Sequence, residues 1–335
     1  MSLILLVAIA GRGTASVVDG SGHSLATAQP STSISYQDVS PLRLIENVSP
    51  YGQDSFDPKS LMLDISWMLP IVEYNGYVTV YWWGGQDNNH YYMSTAKNGK
   101  WILRDKQLDF HNVTGRILVW KNNLYFVGGA GISRIEVSLG TGSLSAPTAV
   151  STKPVLKGYV QDGLSGPVQR EQRSDGTWYL LNLTNGTTRD IQDNGNHFPY
   201  GFNESLYADP THNMVFIPGH QGQSHALNIL TGEDAKDGHG QTHSPEVGPN
   251  LIANGNAVYT VIPAGKADLS VRKFDYTLNP AGSVHVKVVP YVTTIPGIGL
   301  PVVNRVMLTL GNNEVHVWHM IQWQGRMALE LIAVQ

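Results

Sequence analysis

The sequence predicts an all-β chain, a six- or seven-bladed β-propeller of four-stranded antiparallel blades. Three observations predict it: a composition suited to turns and strands, a near absence of helical periodicity, and a turn-and-strand unit that recurs along the chain. Of 335 residues only 14% are charged, against about 25% in an average soluble domain. Glycine stands at 35 and apolar residues at 41%, enough to bury a core. No stretch beyond about ten residues keeps apolar positions at i, i+3, i+4 and i+7 without Gly or Pro. The recurring unit is a turn of Asn, Asp or Gly left through an aromatic-rich alternating strand.

The N-terminus opens with the apolar run Leu3–Ala10, too short to span a bilayer as a helix. No Lys or Arg precedes it, so a buried strand paired with residues 15–18 is favoured over a signal peptide, which stays the alternative. Residues 1–59, with the Ser/Thr/Pro-rich stretch Gln29–Pro50, form a lead-in that either docks outside the ring or completes a closing blade. Residues 60–335 are read as the propeller itself.

Six units carry that reading. They run through Asn75-Gly76, Asn122-Asn123, Asp175-Gly176, His212-Asn213, Gly255-Asn256 and Asn312-Asn313. Anchors at 76, 123, 176, 213, 256 and 313 are spaced by 47, 53, 37, 43 and 57 residues. The mean, about 47, is the length of a four-stranded blade. Asn-Gly and Asn-Asn supply positive φ at little cost and close two-residue hairpins with the right twist. Alternation such as Val78 and Val80 against Thr79 and Tyr81 gives a strand two different faces. Second hairpins follow, as where Tyr91–Ser94 and Trp101–Arg104 flank Asn98-Gly99. One blade cannot cover its own apolar faces, so neighbours must stack. Where the lead-in does not dock outside the ring, it would complete a seventh blade with the C-terminal strands 314–318 and 327–334, and a two-sheet sandwich is the alternative fold.

Two segments resemble the BNR and Asp-box propeller superfamily. Ser174-Asp175-Gly176-Thr177-Trp178 is similar to the Asp-box turn without its spacer residues, and Ser94–Trp101 resembles it more loosely, with Asn98 in place of Asp. The lead-in Leu69–Val78 is similar to the opening blade of BNR-type polysaccharide-active propellers. The resemblance implies a sialidase-like propeller, but the Arg-Ile-Pro motif carrying the first sialidase arginine is missing. Arg116-Ile117-Leu118 comes nearest and lacks the proline, which argues against sialidase activity.

Candidate chemistry falls into three groups. His111, Arg116, His197 and Tyr200 supply a His or Tyr base and a cation to neutralise a carboxylate, the groups a polysaccharide lyase needs at an acidic sugar. Trp83, Asp87, His90 and Tyr91 belong to an aromatic, glycine-rich segment, Tyr81–Tyr92. With His220 and Arg305 they make a ligand-binding set, because sugars stack their C–H faces on rings while polar side chains fix the hydroxyls. The same aromatics also suit inter-blade packing, as do those of Trp318–Trp323. His239 and His243 are the candidate metal ligands; i, i+4 spacing needs a helix, and Gly238 and Gly240 argue for a loop, so a loop-bound divalent metal is the one cofactor considered.

A net charge of −4 with dispersed Lys and Arg argues against nucleic acid as a partner, and no transmembrane helix is expected. The absence of cysteine excludes disulfides and thiol chemistry. These features together imply a non-catalytic glycan- or receptor-binding or structural module in a homo-oligomer or larger assembly. The expected partner is a cell-surface or extracellular polysaccharide, and the expected location is extracellular or on a virion surface, as for a phage tail component. A polysaccharide lyase is the alternative.

Overall fold

The computed structural model describes residues 42–56, 71–84, 90–110, 116–128, 131–151, 160–164, 166–191, 207–220, 223–233, 250–264, 267–289, 306–311, 314–323 and 326–335. The chain divides into Met1–Ser35 and Tyr36–Gln335, and every described residue lies in the second unit. The strand pair expected at 3–9 and 15–18 lies outside the described residues.

Strand β1 (Leu44–Phe56) comes first among the described residues. Blade one is β2 (Ile71–Tyr74), β3 (Tyr77–Gly84), β4 (His90–Lys97) and β5 (Lys100–Leu108). Blade two is β6 (Arg116–Trp120), β7 (Asn123–Gly128), β8 (Gly131–Glu136) and β9 (Thr148–Ser151). Blade three is β10 (Val160–Gly163), β11 (Val168–Gln172), β12 (Trp178–Asn182) and β13 (Thr188–Ile191). Blade four shows three described strands, β14 (Tyr207–Asp209), β15 (Met214–His220) and β16 (Gln223–Asn228). Blade five is β17 (Asn250–Ala253), β18 (Val258–Pro263), β19 (Asp268–Phe274) and β20 (Pro280–Lys287). Blade six takes β21 (Val306–Leu310), β22 (Val315–Trp323) and β23 (Arg326–Val334), and β1 pairs antiparallel with β23 as its outermost strand.

The first strands of the blades lie side by side, β2 by β21, β6 by β10, β14 by β17 and β17 by β21. β10 and β14 run in the same direction and join blades three and four through parallel pairing, Asp162 with Tyr207 and Gly163 with Ala208. The sheets therefore form a six-bladed β-propeller, and the face-to-face sandwich is excluded. The blade number left open by the sequence is six, because β1 is spent on completing blade six.

Burial explains why the ring closes. Six clusters of buried side chains span six neighbouring pairs of blades. Val78 and Val80 of blade one meet Trp318, Leu329 and Leu331 of blade six, while Tyr81 and Met93 of blade one meet Leu124 and Phe126 of blade two. Leu118 and Tyr125 of blade two meet Leu183 of blade three, and Val168 and Leu180 of that blade meet Val215 and Leu227 of blade four. Phe216 of blade four meets Val258 and Phe274 of blade five, and Val261 and Val271 of blade five meet Val317 and Ile332 of blade six. Alternation sends successive residues of one strand to opposite neighbours, as the Val78–Tyr81 pattern predicted. Among the described residues, every blade thus buries apolar side chains against both of its neighbours.

The hairpin chemistry is mostly as the sequence implies. Asn75 (φ 51) and Gly76 (φ 73) close β2–β3, and Asn98 (φ 51) with Gly99 (φ 67) closes β4–β5. One turn differs: Trp120 pairs with Asn123, so the loop is Lys121-Asn122, and Lys121 rather than an Asn takes the positive φ of 55. In the Asp-box-like turn, the Thr177 N–H donates to Asp175 Oδ1 (2.9 Å) and Gly176 sits at φ 89. That main-chain bond holds the Asp175 carboxyl below its usual range.

Candidate functional site

Antiparallel blades give the ring two distinct ends. One, the turn end, carries the first-to-second and third-to-fourth strand connections. The other, the connector end, carries the second-to-third connections and the passages between blades.

The residues singled out in the sequence relate to the connector end in different ways. Trp83 and His90 close the β3–β4 ladder there, Trp83 opposite Tyr91 and Gly84 opposite His90. Arg116 opens β6 opposite Val127, and His220 ends β15 opposite Gln223. Tyr91 is half-buried, its ring 5.1 Å from that of Phe110, and burial pushes its phenol pKa upward. Phe110 in turn packs edge-on against Phe126 of blade two at 4.9 Å. Tyr91 is thus engaged in packing between blades one and two, the use weighed beside ligand binding. Asp87, His111, His197, Tyr200, Arg305, His239 and His243 lie outside the described residues. Trp318, from the second aromatic segment, is buried at 1% exposure and packs edge-on against Tyr51 at 4.9 Å.

Three features at the turn end were not legible as sites. The first is a cavity of about 540 Å³ between blades one and two. Its walls are Tyr74, Asn75 and Tyr77 from the β2–β3 hairpin, Asn122 from the β6–β7 turn, and Glu136 with residues 137–140 and 143–145 from the β8–β9 loop. That loop is tied to itself: Ser138 N–H donates to Ser143 O (2.9 Å), Gly142 N–H to Ser138 O (2.7 Å), and Thr141 Oγ1 to Ser138 Oγ (2.9 Å). Glu136 accepts from Asn122 Nδ2 at 2.9 Å, and a side chain on Gly140 would stand 3.9 Å from the Tyr77 hydroxyl.

The second is a clasp between blades six and one. Glu73 Oε2 accepts from Thr309 Oγ1 (2.8 Å) and pairs with His316 Nδ1 (2.7 Å), while His316 Nε2 lies 3.4 Å from Glu314. Trp318 Nε1 donates to Thr309 Oγ1 at 2.8 Å, so the donors chain from core to carboxylate. Burial works against a charged His316, but Glu73 and Glu314 favour the imidazolium, and the net displacement of its pKa is upward. The ring fits because Gly311 has no side chain: a Cβ there would lie 2.5 Å from His316 Cε1.

The third joins blades four and five. Asp209 is fully buried and accepts from the Tyr276 hydroxyl (2.6 Å), with His212 Nδ1 at 2.7 Å. Gly255 N–H donates to the same Tyr276 oxygen at 2.7 Å, and the Tyr207 hydroxyl donates to Ala253 O at 2.9 Å. Burial and the Asp209 carboxylate both push the Tyr276 phenol pKa far upward, so it stays a donor. Both His–carboxylate groups face a neighbouring blade, and such pairs brace the ring. Among the described residues no group of three or more His, Asp or Glu side chains is arranged to hold a metal ion, and no helix is long and apolar enough to cross a membrane.

No family model and no curated protein matches the chain. Similar solved structures include a member of the duf4221 family from Bacteroides vulgatus, 11% identical over 88% of this chain and 98% of that one, with a TM-score of 0.43. Luciferin-regenerating enzyme is 10% identical over 76% and 87%, with a TM-score of 0.39. Trypanosoma rangeli sialidase, a BNR-type propeller, is 9% identical over 87% and 58%, with a TM-score of 0.40.

Proposed function

We propose that this chain is a non-catalytic glycan- or receptor-binding propeller whose primary recognition surface is the connector end. The observation that supports it is topological. The strand registers bring Trp83, His90, Arg116 and His220, from blades one, two and four, to the same end of the ring. Trp, His and Arg are residue types that suit a saccharide, which needs a ring to stack on and donors for its oxygens. A polysaccharide outside the cell is the partner, with an extracellular or virion-surface location and a homo-oligomer or larger assembly as companions of that reading.

A glycan array with the intact protein tests it. The expected result is capture of a narrow set of glycans, weakened at least about tenfold by Trp83→Ala. Capture of none, or steady release of an unsaturated sugar product from acidic polysaccharides, would overturn the assignment, the latter in favour of a lyase.

A further inference from the structure

The cavity at the turn end has a chemistry of its own. Its two phenol rings are each approached by an ammonium: Lys97 Nζ stands 4.6 Å from the Tyr77 ring centroid and donates to its hydroxyl at 3.4 Å, and Lys121 Nζ stands 5.6 Å from the Tyr74 centroid. Two cations therefore stand at the tyrosines of a cavity with one lining carboxylate, Glu136, in a chain whose net charge is −4. Lys97 and Lys121 are both exposed.

The lining is dense in small hydrogen-bonding groups. Ser138, Ser143, Ser145, Asn75 and Asn122 stand around the rings. Ser145 Oγ already accepts from Glu136 N–H and donates to Ala146 O. Ser138 Oγ, which accepts from Thr141, keeps its proton to donate, and Ser143 Oγ, bonded to Thr141, keeps a lone pair to accept. The loop carrying the serines is fixed by its own hydrogen bonds, so little ordering is left for a ligand to cause. A volume of about 540 Å³ lies within the range of about 300–1,000 Å³ that ligand pockets occupy. Lys121 adds a backbone cue. It holds a φ of 55 in a turn where Asn or Gly would sit without strain. A local preference broken at a pocket rim is the pattern of a residue kept for its side chain.

We infer that this cavity is a second binding site, separate from the connector end, for a short anionic oligosaccharide. Its carboxylate or sulfate groups meet Lys97 and Lys121, its ring faces lie along Tyr74 and Tyr77, and its hydroxyls engage Ser138, Ser143 and Glu136. An acidic peptide offers charge to the lysines but few hydroxyls to the serine wall.

Calorimetric titration of the intact protein with tetragalacturonate, maltotetraose and a poly-glutamate peptide of equal charge tests the inference. Tetragalacturonate is expected to bind at least about tenfold more tightly than either of the others, and less tightly as salt rises. The double charge reversal Lys97→Glu/Lys121→Glu, at two exposed side chains, should abolish that binding while a cooperative melt shows the fold retained. Tyr77→Ala should weaken it, and Trp83→Ala at the connector end should leave it intact. Equal affinity for the neutral sugar or the peptide, no binding, or binding unaffected by the lysine reversals would overturn it. Loss in the Trp83 variant alone would assign the binding to the other end.

Discussion

Two buried tyrosines show how the same side chain can stabilise or merely occupy. Tyr276 donates to the fully buried Asp209 and accepts from Gly255 N–H, so its hydroxyl completes a network across two blades. Tyr276→Phe leaves a buried carboxylate short of a donor and should cost about 1.5–3 kcal/mol in urea denaturation. The Tyr81 hydroxyl is buried with no hydrogen-bond partner among the described residues, and burial drives its pKa upward. Tyr81→Phe should change stability by less than about 0.5 kcal/mol, or raise it. A large loss in the second variant and none in the first would reverse the assignment of the two groups. His316 sets a pH dependence at the same scale. Its folded pKa is raised above the ordinary 6.5. Protonation is thus favoured by folding, and its contribution is fully present below about pH 6.5 and fades as pH rises through the folded value. Denaturation midpoints compared for the wild type and His316→Gln should differ more at pH 6 than at pH 9; an equal gap at both contradicts a charged clasp.

Turns and strands show what the chain makes legible locally. Asn75-Gly76 and Asn98-Gly99 are readable because only a few residue types take positive φ cheaply, and both close hairpins. Lys121 escaped that reading, since residue preference pointed at the Asn pair beside it and the side chain is retained at a backbone cost. Lys121→Gly should therefore raise stability by about 0.5–1 kcal/mol, the gain of an unstrained turn less the entropy of glycine. A thermal melt checks it, and a loss of stability would show that the lysine's contacts with Tyr74 and Trp120 outweigh the strain. The parallel contact of β10 with β14 was likewise invisible. Neither strand has a signature beyond its own few residues, and the pairing follows only from both being first strands of adjacent blades.

At the scale of the molecule, the period of about 47 residues announced stacked β-modules, but not how many. Blade number depends on whether the first described strand joins the last blade, a pairing between distant parts of the chain that no local pattern encodes. The polar clasps were hidden for the same reason: Glu73 meets Thr309 and His316, and Asp209 meets Tyr276, only after the ring has closed. The turn-end cavity was hidden because its walls come from two blades, Tyr74 and Tyr77 from one and Ser138–Ser145 from the next. Of the residues that the sequence offers for their chemistry, Trp83, His90, Arg116 and His220 stand at connector-end strand ends, whereas Asp87, His111, His197, Tyr200, Arg305, His239 and His243 lie outside the described residues.

Closure is the claim on which both proposed surfaces rest, and the chain's lack of cysteine makes it directly measurable. Glu46 of β1 and Ala333 of β23 are paired in the closing blade, although they stand near opposite ends of the described chain. A Glu46→Cys/Ala333→Cys variant, oxidised at low concentration and mapped by mass spectrometry, should form one intramolecular disulfide in the folded protein and none in denaturant. Cross-linking only between molecules, or no disulfide under native conditions, would contradict a ring closed by its own first described strand.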